Sequence, residues 1–123
     1  MAAFMKFIFV TLLINLVIRG SCQCTKHNLR ISQTDTGSFV AGKPEWMVTI
    51  SNNCVCSQSN VVLDCKDFQT VEKIDPSILS IHNGQCLVVN YGLPIFESKD
   101  FTFKYAWDTS FPIDIVSSQV NCS

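Results

Sequence analysis

The stretch Lys99–Asp108 reads KDFTFKYAWD. Phe101, Phe103, Tyr105 and Trp107 occupy alternate positions, with Thr102, Lys104, Ala106 and Asp108 between them. A strand turns successive side chains to opposite faces, so this period of two specifies a strand with one dry face and one wet face. Two of the four rings are phenylalanines, which offer a ligand no polar group. The row therefore reads first as core, where each fully buried ring contributes about 2–3 kcal/mol, and only second as a stacking platform for sugars.

The same alternation extends outward along the chain. Trp46, Val48 and Ile50 alternate with Met47, Thr49 and Ser51, while Asn60–Cys65 (NVVLDC) and Cys86–Asn90 (CLVVN) are shorter β-branched runs. Ile113–Val120 alternates more weakly, and Leu29–Gln33 fits an early strand. Turn-forming residues separate these runs at Gly42-Lys43-Pro44, Asn52-Asn53, Asn83-Gly84, Tyr91-Gly92-Leu93-Pro94 and Phe111-Pro112. The pattern predicts an all-β protein, a single antiparallel β-sandwich. One turn of helix is expected at Asp75-Pro76-Ser77-Ile78-Leu79, where an N-cap acceptor precedes a proline suited to the first helical position.

The N-terminus carries an address. Lys6 precedes a twelve-residue apolar stretch, Phe7–Ile18, interrupted only by Thr11 and Asn15, which Arg19 and Gly20 close well short of the roughly 20 residues a membrane span needs. Gly20 and Cys22 suit the −3 and −1 positions of a cleavage site, so residues 1–22 read as a signal peptide and 23–123 as one mature domain. Cleavage there removes Cys22 and leaves Cys24, Cys54, Cys56, Cys65, Cys86 and Cys122. This even set predicts about three disulfides in an oxidising compartment, with the pairing open among fifteen connectivities. No stable membrane insertion is expected once the leader is gone.

Composition excludes several classes of function. The 123 residues are 47% apolar and 15% charged, too hydrophobic for a disordered chain and too few for a two-lobed enzyme. Formal charge is −1; without Lys6 and Arg19, seven basic residues face ten acidic ones, a mature charge of −3. No three basic residues are consecutive, so no nucleic-acid partner is expected.

Catalytic and metal chemistry find little support. Cys54-Val55-Cys56 lacks the wider spacing and second pair of a structural zinc site, and only His27 and His82 could supplement its thiols. No metal and no cofactor are expected. Both histidines lie in polar, turn-like surroundings, and no G-x-S-x-G, phosphate loop or D-x-D occurs. Asp64 with Asp67 and Glu97 with Asp100 are acidic neighbours of a kind that chance supplies. The chain is expected not to be an enzyme. Asn121-Cys122-Ser123 matches a glycosylation sequon, but its central cysteine is claimed by a bridge, and it is expected to be unoccupied.

The six mature cysteines, with the residues between them, carry a resemblance. The relevant stretches are Val48-Thr49-Ile50 leading to Asn53-Cys54 and Cys56, Val62-Leu63-Asp64-Cys65 with Phe68, and Ile74-Asp75-Pro76. Cys86-Leu87-Val88 with Asn90, Gly92 and Pro94 follows, then Phe103-Lys104-Tyr105-Ala106, Phe111-Pro112 and Cys122-Ser123. Together they resemble the plant tapetum-determinant family of small secreted proteins. The stretch from Tyr105 to Pro112 is longer than its counterpart there, which suggests a tapetum-determinant-like branch.

The resemblance implies an apoplastic signalling ligand for a leucine-rich-repeat receptor kinase, acting in cell fate in anthers. Aromatic residues near turns are typical binding anchors, so Tyr91, Trp107 and Phe111 are the candidate receptor contacts. The alternative is a cell-wall carbohydrate-binding module with Trp46, beside Pro44 at a strand start, as its stacking residue. A cysteine-rich inhibitor is a third class, but no reactive-loop signature supports it.

Overall fold

The structure, a computed structural model, describes residues 24–122. The leader expected over residues 1–22 lies outside them.

Among the described residues seven strands build two antiparallel sheets. They are β1 (Leu29–Val40), β2 (Lys43–Asn52), β3 (Ser57–Asp64), β4 (Leu79–His82), β5 (Gln85–Val88), β6 (Phe101–Ala106) and β7 (Asp114–Asn121). One sheet has the order β1-β2-β6, the other β4-β5-β3-β7. Among the described residues, no helix is long and apolar enough to cross a membrane.

Alternation explains the first sheet directly. Directly paired residues share a face, and Ile50 pairs with Phe101, Val48 with Phe103 and Trp46 with Tyr105. The pairs Ile31–Ile50 and Leu29–Asn52 extend the same inner row onto β1. Thr49–Thr102 and Met47–Lys104 fall on the outer face. In the second sheet Val61, Leu63, Cys86, Val88 and Leu79, with Ile113 just before β7, complete the core. The register of β3 against β7 shifts between Ser59 and Val62, where Asn60 adopts φ 50°, so both Gln58 and Val61 turn inward.

Two differences from the expected elements stand out. Asp75–Leu79 is a hydrogen-bonded turn rather than a turn of helix. Asp75 Oδ1 does accept from the Ser77 N–H at 2.8 Å as a cap would, and Ile78 N donates to Asp75 O at 2.8 Å. At Leu79, however, the chain leaves as β4 to pair with β5, because the buried Leu79 side chain joins the core there. Short 3-10 turns form instead at Lys26–Asn28 and Asn90–Gly92.

Three disulfides close the molecule: Cys24–Cys54, Cys56–Cys122 and Cys65–Cys86. Cys54-Val55-Cys56 is a bend rather than strand, and it ties the segments at both ends of the described chain to one loop. The Sγ atoms of Cys24, Cys56 and Cys122 lie within 4.8 Å of one another, so the two bridges are adjacent. Cys65–Cys86 is buried at the opposite end of the sandwich, linking the residue after β3 to β5.

Candidate functional site

The end of the sandwich with the paired bridges is built from buried amides. Asn52, 2% exposed, donates through Nδ2 to Cys56 O at 2.8 Å and Ile95 O at 3.0 Å, and its Oδ1 accepts from Cys54 N at 3.0 Å. Gln58 is fully buried; its Nε2 donates to Thr25 O at 2.9 Å, while its Oε1 accepts from Ser118 Oγ at 2.6 Å. Buried amides cost free energy unless paired, so these two side chains hold four chain segments in one fixed arrangement.

From this base a loop projects outward. Asn90, Tyr91 and Gly92 have φ of 48°, 57° and 83°, three consecutive residues in the left-handed region. Gly92 adopts it freely and Asn90 readily, but for a tyrosine it is strained by about 1 kcal/mol or more. The strain is held by main-chain bonds from Tyr91 N to Ser77 O at 2.6 Å and from Asn90 N to Ile78 O at 3.1 Å. Asn90 Nδ2 also donates to Leu93 O at 3.2 Å.

This rigid loop offers apolar side chains to solvent. Tyr91 is 66% exposed, Leu93 55% and Phe96 43%, and the neighbouring Val55 is 77% exposed. Phe96 is the common wall of two open hollows. One, of about 370 Å³, runs along Val55, Cys56 and Cys122; the other, of about 100 Å³, lies between Leu93, Pro94 and the charged pair Lys99 and Asp100. Exposed apolar groups beside a polar rim are the composition of a protein-docking surface.

The structure separates the three candidate receptor contacts. Trp107 and Phe111 lie at the far end of β6, half-buried and packed against the core, roughly 20 Å along the strand direction from the Asn52 end. Phe111 packs its ring 5.5 Å from Phe68, and its N–H donates to the Tyr105 hydroxyl at 2.9 Å. Trp107 lies 5.2 Å beneath Lys43 Nζ, which also pairs with Asp108 at 2.7 Å. Both lie at the margin of the core, and of the three Tyr91 is the most exposed. Val55, Leu93 and Phe96 are further exposed apolar side chains at this end, grouped around the two hollows. Val55 carried a signal in the sequence, since a residue held between two bridged cysteines has little freedom to turn inward.

Trp46, the stacking residue of the carbohydrate alternative, is likewise partly buried. It lies on the inner face opposite Tyr105, and its Nε1 donates to Trp107 O at 3.3 Å. Phe101, Phe103 and Tyr105 are buried as core. Burial pushes the Tyr105 hydroxyl above its ordinary pKa, and the hydrogen bond from the Phe111 backbone offsets only part of this. Among the described residues the six cysteine sulfurs are all committed to bridges, His27 and His82 belong to no cluster with them, and the bridges fit an oxidising compartment.

Fold and site together define a small, disulfide-stapled β-sandwich with a rigid aromatic loop at one end. The family model "Tapetum determinant 1, C-terminal" matches residues 25–123, and the chain belongs to that family. It is similar to the TPD1 protein homolog 1 of Arabidopsis thaliana, with 28% identity over 101 residues, covering 80% of this chain and 55% of that protein. The TPD1 protein homolog 1B of Oryza sativa subsp. japonica is 27% identical over 96 residues, covering 76% and 56%. The chain thus spans about half the length of the curated relatives it matches. No solved structure matches it.

Proposed function

We propose that this protein is a secreted, non-catalytic signalling ligand that presents the Asn90–Phe96 loop to the ectodomain of a leucine-rich-repeat receptor kinase in the plant apoplast. Family membership fits a signalling role in plant reproductive development, and the finer role is cell fate in the anther. The observation that carries the reading is Tyr91, two-thirds exposed yet held in a left-handed conformation by main-chain bonds to the turn before β4. Backbone strain persists only where the surroundings impose it, and it gathers at binding and catalytic sites. A loop already fixed loses little conformational entropy on binding.

The test is a pair of variants assayed against receptor ectodomains by co-purification. Phe96→Ala shortens the shared wall of both hollows and weakens binding at least about tenfold, as loss of a central anchor does. Tyr91→Gly relieves the strain, so the protein melts no lower than wild type while binding is lost. Unchanged binding in both variants would refute this assignment of the loop.

A further inference from the structure

The outer face of the three-stranded sheet should be wet, yet one corner of it is dry. Glu45, on β2, is only 9% exposed, and its partner Ala106 on β6 is fully buried. The covering element is the segment Thr70–Glu72, pinned across the edge of β6. Ala106 N donates to Thr70 Oγ1 at 3.0 Å, and Val71 N donates to Ala106 O at 3.0 Å. Thr70 Oγ1 accepts from Glu72 N at 3.1 Å and donates to Glu72 O at 2.9 Å, which fixes the course of the strap at Glu72.

Because Val71 bonds to Ala106, the partner of Glu45, the strap brings Glu72 beside Glu45, and each carboxyl acts on the other by side-chain hydrogen bonding. Thr36 on β1 donates its hydroxyl to Glu45 Oε1 at 2.8 Å, but the buried Glu72 Oε1 has no hydrogen-bond partner. Two carboxylates packed together cannot both ionise without cost, and a buried acceptor without a donor adds to that cost. One proton on Glu72 removes both difficulties, because the acid then donates to the Glu45 carboxylate. We propose that Glu45 and Glu72 share one proton as a latch holding the Thr70–Glu72 strap on the sheet, and that loss of this proton as the pH rises frees the strap.

The surrounding groups agree. Glu72 is pushed up to about 7 by burial first, then by hydrogen bonding to Glu45 and by the Glu45 charge; the Lys104 ammonium on β6 opposes these weakly. Glu45 is held below the ordinary carboxylate value by the Thr36 hydroxyl and by Glu72, so it is the anionic partner. With the strap open, Glu72 returns towards its ordinary 4.5. Between that value and about 7 the closed form therefore binds more protons than the open one. Closure weakens across that window as pH rises and levels off above it.

Hydrogen exchange at the Val71 amide, read by NMR on the whole mature protein without any partner, tests the latch independently of the receptor reading. After correction for intrinsic exchange, protection falls about tenfold between pH 6 and pH 8, and in Glu72→Gln, where an amide replaces the shared proton, it stays level. A level wild-type profile, or an equal fall in the variant, overturns the proposal. Carboxyl carbon NMR on the wild type decides the matter even if the variant does not fold. One glutamate titrating near neutrality supports the latch, and both titrating below pH 5 refutes it.

Discussion

The Tyr105 hydroxyl is where three segments of the chain meet. It accepts from Phe111 N at 2.9 Å and donates to Gln33 Oε1, and Gln33 Nε2 donates in turn to Phe111 O at 2.6 Å. This closed ring anchors the loop after β6 to β1 across the inner face of the sheet. Tyr105→Phe keeps the ring packing but leaves the Phe111 N–H without its acceptor and Gln33 without its donor. It should lower unfolding stability by about 1–3 kcal/mol, measured as a reduced urea midpoint at unchanged slope. The alternation at Phe101–Trp107 places Tyr105 in the core from sequence, but its hydroxyl partners come from β1 and from a loop, which periodicity cannot see. The same holds for Tyr91, Trp107 and Phe111. All three are aromatics beside turns, and only the direction of the chain after β6, which returns Trp107 and Phe111 to the core, separates them from an exposed anchor.

At the scale of elements, strands that alternate were readable and those that depend on a distant partner were not. β2 and β6 follow runs whose apolar period is two, β7 a weaker one, and β3 and β5 follow short β-branched runs. β4, Leu79-Ser80-Ile81-His82, alternates over only four residues with Leu79 alone buried, and its pairing with β5 makes it a strand. Both two-residue hairpins use backbone in the left-handed region. Asn83-Gly84 joins β4 to β5 with φ of 48° and 82°, and Ala41-Gly42 joins β1 to β2 with φ of 50° and 81°. A right-handed sheet twist favours this turn geometry, for which Asn-Gly is the preferred pair, so Ala41 is the poorer choice at its position. Ala41→Asn should raise stability by about 0.5–1 kcal/mol, seen as an upward shift in melting temperature with unchanged circular dichroism. A decrease would mean that the β1–β2 turn is not of this type.

For the molecule as a whole, the three bridges divide the labour of holding it together. Their cysteines are 30, 66 and 21 residues apart in sequence, so by chain entropy each contributes about 3–4 kcal/mol, with Cys56–Cys122 contributing most. That is a large share of the roughly 5–15 kcal/mol that stabilises a domain. Their accessibilities run in the same order. Cys122 is exposed and Cys24 and Cys54 are half-buried, whereas Cys65 and Cys86 are 0% and 1% exposed. Thiolate attack needs access to sulfur, so limiting reductant should open Cys56–Cys122 first and Cys65–Cys86 last. Trapping by alkylation and peptide mapping reads that order. Opening the first bridge leaves β7 paired with β3 along its ladder and Gln58 still bound to Ser118, so the intermediate should keep its sheets. A Cys56→Ala/Cys122→Ala protein should accordingly fold, with stability lower by about 4 kcal/mol. Simultaneous loss of the buried bridge with the first would instead mean that the paired bridges at the Asn52 end hold the entire sandwich closed, and that its hydrogen-bonded amides cannot do so alone.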